Sequence, residues 1–322
     1  MKYRIIKYQA EYQAVWDDFI TRSANGTFIH QRKYMDYHAH RFTDASLMIF
    51  EGEKLKAVFP AHRVENQIIA HNGLTYSDFI FHFKLKTGHK IQIIEQSLAY
   101  LKNQGIEQAI IKDIPFVFHQ KIDETNRYIY DRLKAKILKI KPFFVAIKQN
   151  KEGLNRNRIK NLKKIDASVF SMHTGIDNLS GFWQIVQENL QERYQSKPVH
   201  RLDEIKLLIN NFPDKIRLFT VAHKNITLAG ALVYIINNSI HFQYIHAKND
   251  PLSRKAVEWL VYQIVELYQD REYISFGTSE SQDNNLHSGL VYWKQSFACR
   301  IINQYFIAVS TANHHHLKDV LQ

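Results

Sequence analysis

The stretch KIRLFTVAHKNITLAGALVYIINNSIHFQYIHA, residues 215–247, decides the fold. It holds three β-rich runs, Lys215–His223, Ile226–Ile236 and Ile240–His246, parted by Lys224-Asn225 and Asn237-Asn238. β-Branched and aromatic side chains suit a pleated, half-buried surface, and short polar pairs between such runs turn hairpins. Working outward, a strand-like run at Ser168–Thr174 precedes two helical patterns, Gly181–Gln195 and Leu202–Asn211. On the other side come a long amphipathic helix over Leu252–Tyr268, a strand at Tyr273–Gly277, a helix at Leu286–Phe297 and a strand at Ile301–Val309. The order is β-α-α-β-β-β-α-β-α-β.

The same string can be read, more faintly, in the first half. Tyr3–Tyr8 is a short strand, and Tyr12–Arg22 and Gln31–Arg41 are helical. Ala45–Glu51, Lys54–Val64 and Gln67–His71 are strand-like, with Gly52-Glu53 and Glu65-Asn66 between them. Ile91–Gln104 is a helix, Gln108–Asp113 a strand, Glu124–Ile140 a helix and Phe143–Ile147 a strand. A repeat of roughly 150 residues means two domains of one fold rather than a solenoid.

Composition sets the outer limits. At 322 residues, 45% hydrophobic and 13% aromatic, the chain can build two cores and is not a disordered polymer. Its one cysteine, Cys299, excludes an internal disulfide framework and any cysteine-rich metal site, and reads as a small buried hydrophobe. Met1 leads directly into a charged strand, and there is no run of about 18 apolar residues, so the expectation is a soluble, cytoplasmic protein with no transmembrane segment. The net charge of +12 is concentrated: Arg132–Lys164 carries twelve cationic residues against the single acid Glu152, a net +11. Within it, a helix through Asn155–Ile165 would put Leu154, Ile159, Leu162 and Ile165 on one side and Arg156, Lys160, Lys163 and Lys164 on the other. Such a face is either merely solvated or a landing strip for a phosphate, a nucleotide, tRNA or an anionic surface met peripherally.

Several short segments, in order, resemble the FemAB-like branch of the GNAT acyltransferase superfamily. They are Arg156-Asn157-Arg158-Ile159-Lys160-Asn161-Leu162-Lys163-Lys164, Leu228–Tyr234, His241–Ala247, Ala256–Leu260, Ser275–Ser279 and Gly289–Phe297. Asn25–His30 and Gly73–Tyr76 add to the likeness in the first half. The resemblance implies an α/β fold of mixed sheets, with two tandem GNAT-like domains joined by a basic helical segment. The first, 1–147, would be scaffold and acceptor side; the second, 148–310, the catalytic side; residues 311–322 would be a tail. It also implies transfer of an acyl or aminoacyl group to an amine, with acyl-coenzyme A or aminoacyl-tRNA as donor.

One departure bears on the donor. Coenzyme A-using GNAT enzymes place a Gly-rich loop before the long helix, whose N–H groups cradle the pyrophosphate. The corresponding stretch, Ala247–Lys255, has no glycine. Asp250 and Pro251 are good helix-start residues, but Asp250 sets a negative charge where a pyrophosphate would sit. Lys248, Arg254 and Lys255 still supply positive charge, so the anion site is weakened rather than excluded.

Acyl transfer needs a polarised carbonyl, an amine that loses a proton and a leaving group that gains one. Tyr244 and His246, two apart on one strand, share a face and are candidates for donating and accepting protons. Glu280, with Ser279 beside it, follows a strand at its C-terminal end and could act as base or orient the amine. Lys294 could meet an anionic group. In the first half, Tyr76 and Asp78 would lie in a loop facing a cleft lined by both domains, with Arg32 and Lys33 binding an anionic acceptor there. Each has a plainer alternative as core, backbone-bonded or surface residue. His314-His315-His316 has no cysteine partner nearby in sequence, so no metal site is expected and a disordered terminus is. No nucleophile elbow, Walker loop, Rossmann fingerprint or zinc signature occurs.

The leading expectation is an N-acyltransferase of GNAT type acting by direct attack of the amine on the donor carbonyl. The acceptor would be a small-molecule, peptide or glycan amine. The alternatives are a tRNA-dependent peptidoglycan or peptide aminoacyltransferase, and a non-catalytic protein binding RNA or an anionic glycan.

Overall fold

The computed structural model describes residues 2–148, 153–280 and 284–320. Lys151 and Glu152 of the basic run, and Ser281–Asp283 of the loop after Glu280, lie outside the described residues. The chain forms two compact units: Met1–Lys141 with Asn303–Gln322, and Pro142–Ile302. The sequence alone predicts one boundary between domains, after residue 147, with 311–322 as a tail. Strand pairing is non-local, so the last strand can leave its sequence neighbours and count with the first unit.

In the first unit, β1 (Arg4–Lys7), α1 (Gln13–Thr21) and α2 (Arg32–Met35) precede β2 (Leu47–Glu51), β3 (Lys54–Phe59), β4 (His62–Val64), β5 (Gln67–Ile69) and β6 (Ile80–Phe81). Then come α3 (Thr87–Asn103), β7 (Gln108–Lys112) and α4 (Thr125–Arg132). Strands β1, β2, β3 and β6 form one antiparallel sheet. β4 pairs with β5, and β5 runs parallel to β7.

Two expectations fail here. The helix expected over Glu124–Ile140 stops at Arg132, where Lys134 adopts a left-handed φ of 54°. A long strand, β8 (Lys136–Ile147), follows, its residues from Pro142 belonging to the second unit. Nor is the terminus disordered: Thr311–Leu317 forms a 3₁₀ helix. Leu317 is buried, Asn313 donates to the Leu133 carbonyl at 2.9 Å, and His314 lies 3.3 Å from the Glu95 carboxylate.

The second unit continues with α5 (Arg156–Lys163), β9 (Ser171–Thr174), α6 (Leu179–Tyr194) and α7 (Leu202–Asn211). Then follow β10 (Ile216–His223), β11 (Ile226–Ile236), β12 (Ser239–Ala247), α8 (Pro251–Leu267), β13 (Tyr273–Ser275), α9 (Ser288–Gln295) and β14 (Cys299–Ser310). From Asn303 on, β14 counts with the first unit, where it pairs antiparallel with β7. The quoted stretch is the heart of the sheet, whose order in this unit is β8-β13-β12-β11-β10-β9. Lys224 and Asn225 take φ of 49° and 66°, the conformation that lets a two-residue turn follow the twist of its strands. α8 buries Ala256, Leu260, Val261 and Ile264 against one face of the sheet. On α6, Phe182 packs where Gly230 of β11 has no side chain: a Cβ there would lie 2.4 Å from the ring.

Two features open this sheet. β12 and β13 run parallel only from Ser239↔Tyr273 to His241↔Ser275. Beyond Ser275 the chain stays with β8, Phe276 donating to the Phe144 carbonyl at 2.8 Å and Phe144 to that of Gly277 at 2.9 Å. β12 meanwhile bulges against β11, the register stepping from Val233↔Phe242 to Leu232↔Tyr244. A bulge adds twist and re-aims side chains, and the two strands diverge around a cleft.

Candidate active site

The cleft has a volume of about 580 Å³ and lies wholly within the second unit. Tyr244, His246, Lys248, Arg254, Glu258 and Lys294 are among its polar lining, with Phe242, Phe276 and Trp293 among its apolar walls. Five of the residues singled out in sequence are thus brought together: Tyr244, His246, Lys248, Arg254 and Lys294.

Tyr244 and His246 hold the β12 side, their ring centroids 6.3 Å apart. The Tyr244 ring meets Trp183 of α6 edge-on at 5.1 Å, and its hydroxyl is 2.9 Å from Nδ1 of His200. Asn189 of α6 fixes the end of the strand by donating to the Ala247 carbonyl at 2.9 Å.

Lys294 enters from α9, whose first turn is capped by His287, with Nδ1 accepting from the Leu290 N–H. Its side chain is buried over the Phe144 ring, and Nζ donates to the carbonyls of Gly277 at 3.3 Å and Thr278 at 2.5 Å. Burial pulls its ammonium down to about 8. It is a cation at neutral pH, held in an apolar wall of a cleft.

The remaining wall comes from the start of α8. Asp250 accepts from the N–H groups of Leu252 and Ser253, both at 2.9 Å, and from the Ser253 hydroxyl at 2.6 Å. Those bonds hold its carboxyl below the usual value. The helix N-terminus is therefore already capped by the protein's own anion.

Other expected site residues lie elsewhere. Ser279 is buried, its carbonyl accepting from the His287 N–H, and Glu280 bridges to Leu286; neither lines the cleft. Lys255, Arg156, Lys160 and Lys163 are exposed and do not line it either. On α5 the expected apolar side fails at one residue: Leu154 and Ile165 pack against the core, but Ile159 is 40% exposed, while Arg158 is buried. Arg158 lies 2.7 Å from the Glu258 carboxylate, donates to the Ser296 hydroxyl at 2.8 and 3.0 Å, and sits 4.6 Å from the centre of the Phe297 ring. An arginine stem packs like a hydrophobe when its head is paired.

In the first unit the expected cleft loop is core. Tyr76 is buried, stacked on Phe118, with its hydroxyl donating to Thr27 at 3.4 Å; burial pushes its phenol up. Asp78 is buried too, accepting from the Tyr130 hydroxyl and the Phe79 N–H, and burial pushes its carboxyl up to about 7. Arg32 is buried 3.5 Å from the centre of the Tyr8 ring and paired with Asp44 at 2.5 Å and Asp36 at 3.5 Å, so its charge is already met. Lys33 is exposed. Among the described residues no group of three or more His, Cys, Asp or Glu is placed to hold a metal ion.

No family model matches the sequence, and no curated protein matches it. Solved structures do. FemX superposes with a TM-score of 0.67 over 98% of this chain and 99% of its own, at 10% identity. L-PGS from Bacillus licheniformis gives 0.60 over 93% and 91%, at 9% identity. The fold is of the FemAB-like GNAT type. A tandem GNAT protein from the clavulanic acid biosynthesis pathway also matches, at 0.51 over 96% and 98% with 9% identity. Within this fold, α8 is the long helix that follows the splayed strand, and Asp250 occupies the N–H groups at its start.

Sequence reasoning missed His200, Arg158 and Glu258 as neighbours of the cleft. Only the basic stretch around Arg158 carried a signal, and its hydrophobic periodicity pointed to Ile159. His200 sits in a polar connector with no pattern at all.

Proposed function

We propose that the second unit transfers an aminoacyl group from an ester donor, the 3′ end of an aminoacyl-tRNA, to an amine by direct attack. The observation that carries this is the capping of α8 by Asp250 beside a cleft holding Tyr244, His246 and a buried Lys294. A diphosphate at that helix start would have to displace a bonded carboxylate and sit next to its charge, which argues against coenzyme A. A ribose ester makes no such demand. The exposed Arg156, Lys160 and Lys163 of α5 offer phosphate contacts for a polynucleotide instead. The likeness to FemX and L-PGS supports a transferase of this fold and leaves the acceptor open.

In this mechanism Lys294 polarises the donor carbonyl and stabilises the oxyanion formed as the amine adds. A desolvated ammonium does this well, because its field is not screened by water. His246 takes the proton from the attacking amine, and the Tyr244 hydroxyl gives one to the departing ribose oxygen. The C–O bond breaks as the amide forms, with no covalent enzyme intermediate. The acceptor is an amine on a peptide, a glycan or a small molecule.

The test is transfer from bulk tRNA charged with radiolabelled amino acids to a panel of amines, read as base-stable label. A thermal-shift series with tRNA, acetyl-coenzyme A and free coenzyme A at low and moderate salt runs alongside. Salt-sensitive stabilisation by tRNA with label in amide supports the proposal. Stabilisation by the thioester alone would overturn it in favour of an acyl-coenzyme A enzyme.

A further inference from the structure

The connector between α6 and α7 folds against the ordinary rule of burial. Val199 is 79% exposed, while the next residue, His200, is 6% exposed. Hydrophobic burial alone would choose the reverse, since the aliphatic side chain gains more on leaving water. Something specific must hold the imidazole inside. One such contact is the 2.9 Å hydrogen bond between His200 Nδ1 and the Tyr244 hydroxyl, with the two rings edge-on at 6.0 Å. The connector is stiffened around it: Pro198 fixes one φ, and the Glu204 carboxylate accepts from the Arg201 N–H at 2.8 Å to start α7. His200 also lines a separate cavity of about 680 Å³ between α6 and α7, whereas Tyr244 lines the cleft described above. The pair is thus the shared wall of two cavities in one unit.

We infer that His200 is a positioning residue for Tyr244, donating its Nδ1–H to the phenol oxygen and so turning the phenol's own proton into the cleft. A phenol has one proton and must commit it in one direction. If the histidine accepted that proton, the hydroxyl would point away from the cleft and could not serve the leaving oxygen. With Nδ1–H as donor, the phenol oxygen accepts from His200 while its O–H faces the reacting ester. His200 itself gains and loses no proton in the step: the amine's proton leaves through His246, and the ribose oxygen receives that of Tyr244. This inference rests on the aminoacyl-transfer proposal for the role of the hydroxyl, but the hydrogen-bond direction can be read without any substrate.

The first arm of the test is the tautomer of His200, from long-range proton–nitrogen correlation spectra of histidine-labelled protein at a pH where the ring is neutral. The expected result is the Nδ1–H form in the wild type, lost in Tyr244→Phe, because the tautomer is set by the partner of the ring. An Nε2–H form in the wild type, or a spectrum indifferent to Tyr244→Phe, would overturn the inference. The second arm is transfer kinetics with charged tRNA. His200→Phe should lower kcat by about 10- to 100-fold with KM unchanged, and His200→Asn, whose amide can still donate to the phenol, should restore most of it. In Tyr244→Phe the further change His200→Phe should cost nothing more. Additive losses, or a kcat indifferent to His200→Phe, would refute the positioning role. Absence of transfer by the wild type would defeat the functional proposal and with it the catalytic part of the inference, the tautomer still deciding the hydrogen bond.

Discussion

Replacing Lys294 by Met separates a residue kept for chemistry from one kept for stability. Burial lowers the ammonium from an ordinary lysine value near 10.5 to about 8. At about 1.4 kcal/mol per unit, holding the charge at neutral pH costs the fold about 3 kcal/mol. Against this, Met leaves two carbonyls without their lysine donor. Gly277 keeps the Phe144 N–H at 2.9 Å, so of the two only the Thr278 carbonyl is left with none of these donors. An orphaned buried acceptor costs about 1–3 kcal/mol. The two effects nearly cancel, and Lys294→Met should be neutral to stabilising by about 1–2 kcal/mol at pH 7. The pH dependence gives a second handle. Because the folded value is depressed, the unfolded chain binds more protons between about pH 8 and 10.5, so wild-type stability rises across that window relative to the variant. Urea unfolding followed by tryptophan fluorescence at pH 7 and at about pH 10 measures both, while the transfer assay should show activity lost. A loss of more than about 3 kcal/mol at pH 7, or a gap between the proteins that ignores pH, would refute the reasoning and make Lys294 a structural residue.

Asp250→Ala should lower stability by about 1 kcal/mol through loss of the α8 cap, and urea unfolding checks it; any thermal shift with coenzyme A should be larger in this variant than in the wild type. Gly230→Ala brings a Cβ to within 2.4 Å of the buried Phe182 ring and should cost about 1–3 kcal/mol by overpacking, measured in the same way. Asp78 has its carboxyl raised by burial to about 7, so its contribution to stability is whole below about pH 4 and is lost as pH rises through 7. Asp78→Asn should therefore flatten part of the decline in stability from about pH 4 to 7, which unfolding curves across that range will show.

The hairpins at Lys224-Asn225 and Asn237-Asn238, the alternation of β10–β12 and the Asp250-Pro251 helix start were legible because each depends on residues within a few positions of one another. So was the doubled element order, and with it the tandem GNAT-type fold. Tyr244, His246 and Lys294 line the cleft, and strand parity and the Gly289–Phe297 segment place them locally. What failed was whatever depends on distant partners. Arg158 displaced Ile159 from the buried face because Glu258 and Ser296 wait for it. Tyr76 and Asp78 read as loop residues, yet Phe118 and Tyr130 enclose them from elsewhere in the chain. β14 passes from one unit to the other because the free edge that takes its end belongs to β7. The sequence by itself determined most of the elements, β8 and the terminal 3₁₀ helix excepted, and the aspartate at the head of α8, since turns, caps and periodicity are set by near neighbours. Only the tertiary structure decided that β12 and β13 part after His241, and that His200 turns inward to Tyr244. Both depend on hydrogen bonds between segments more than 30 residues apart, which no local pattern encodes.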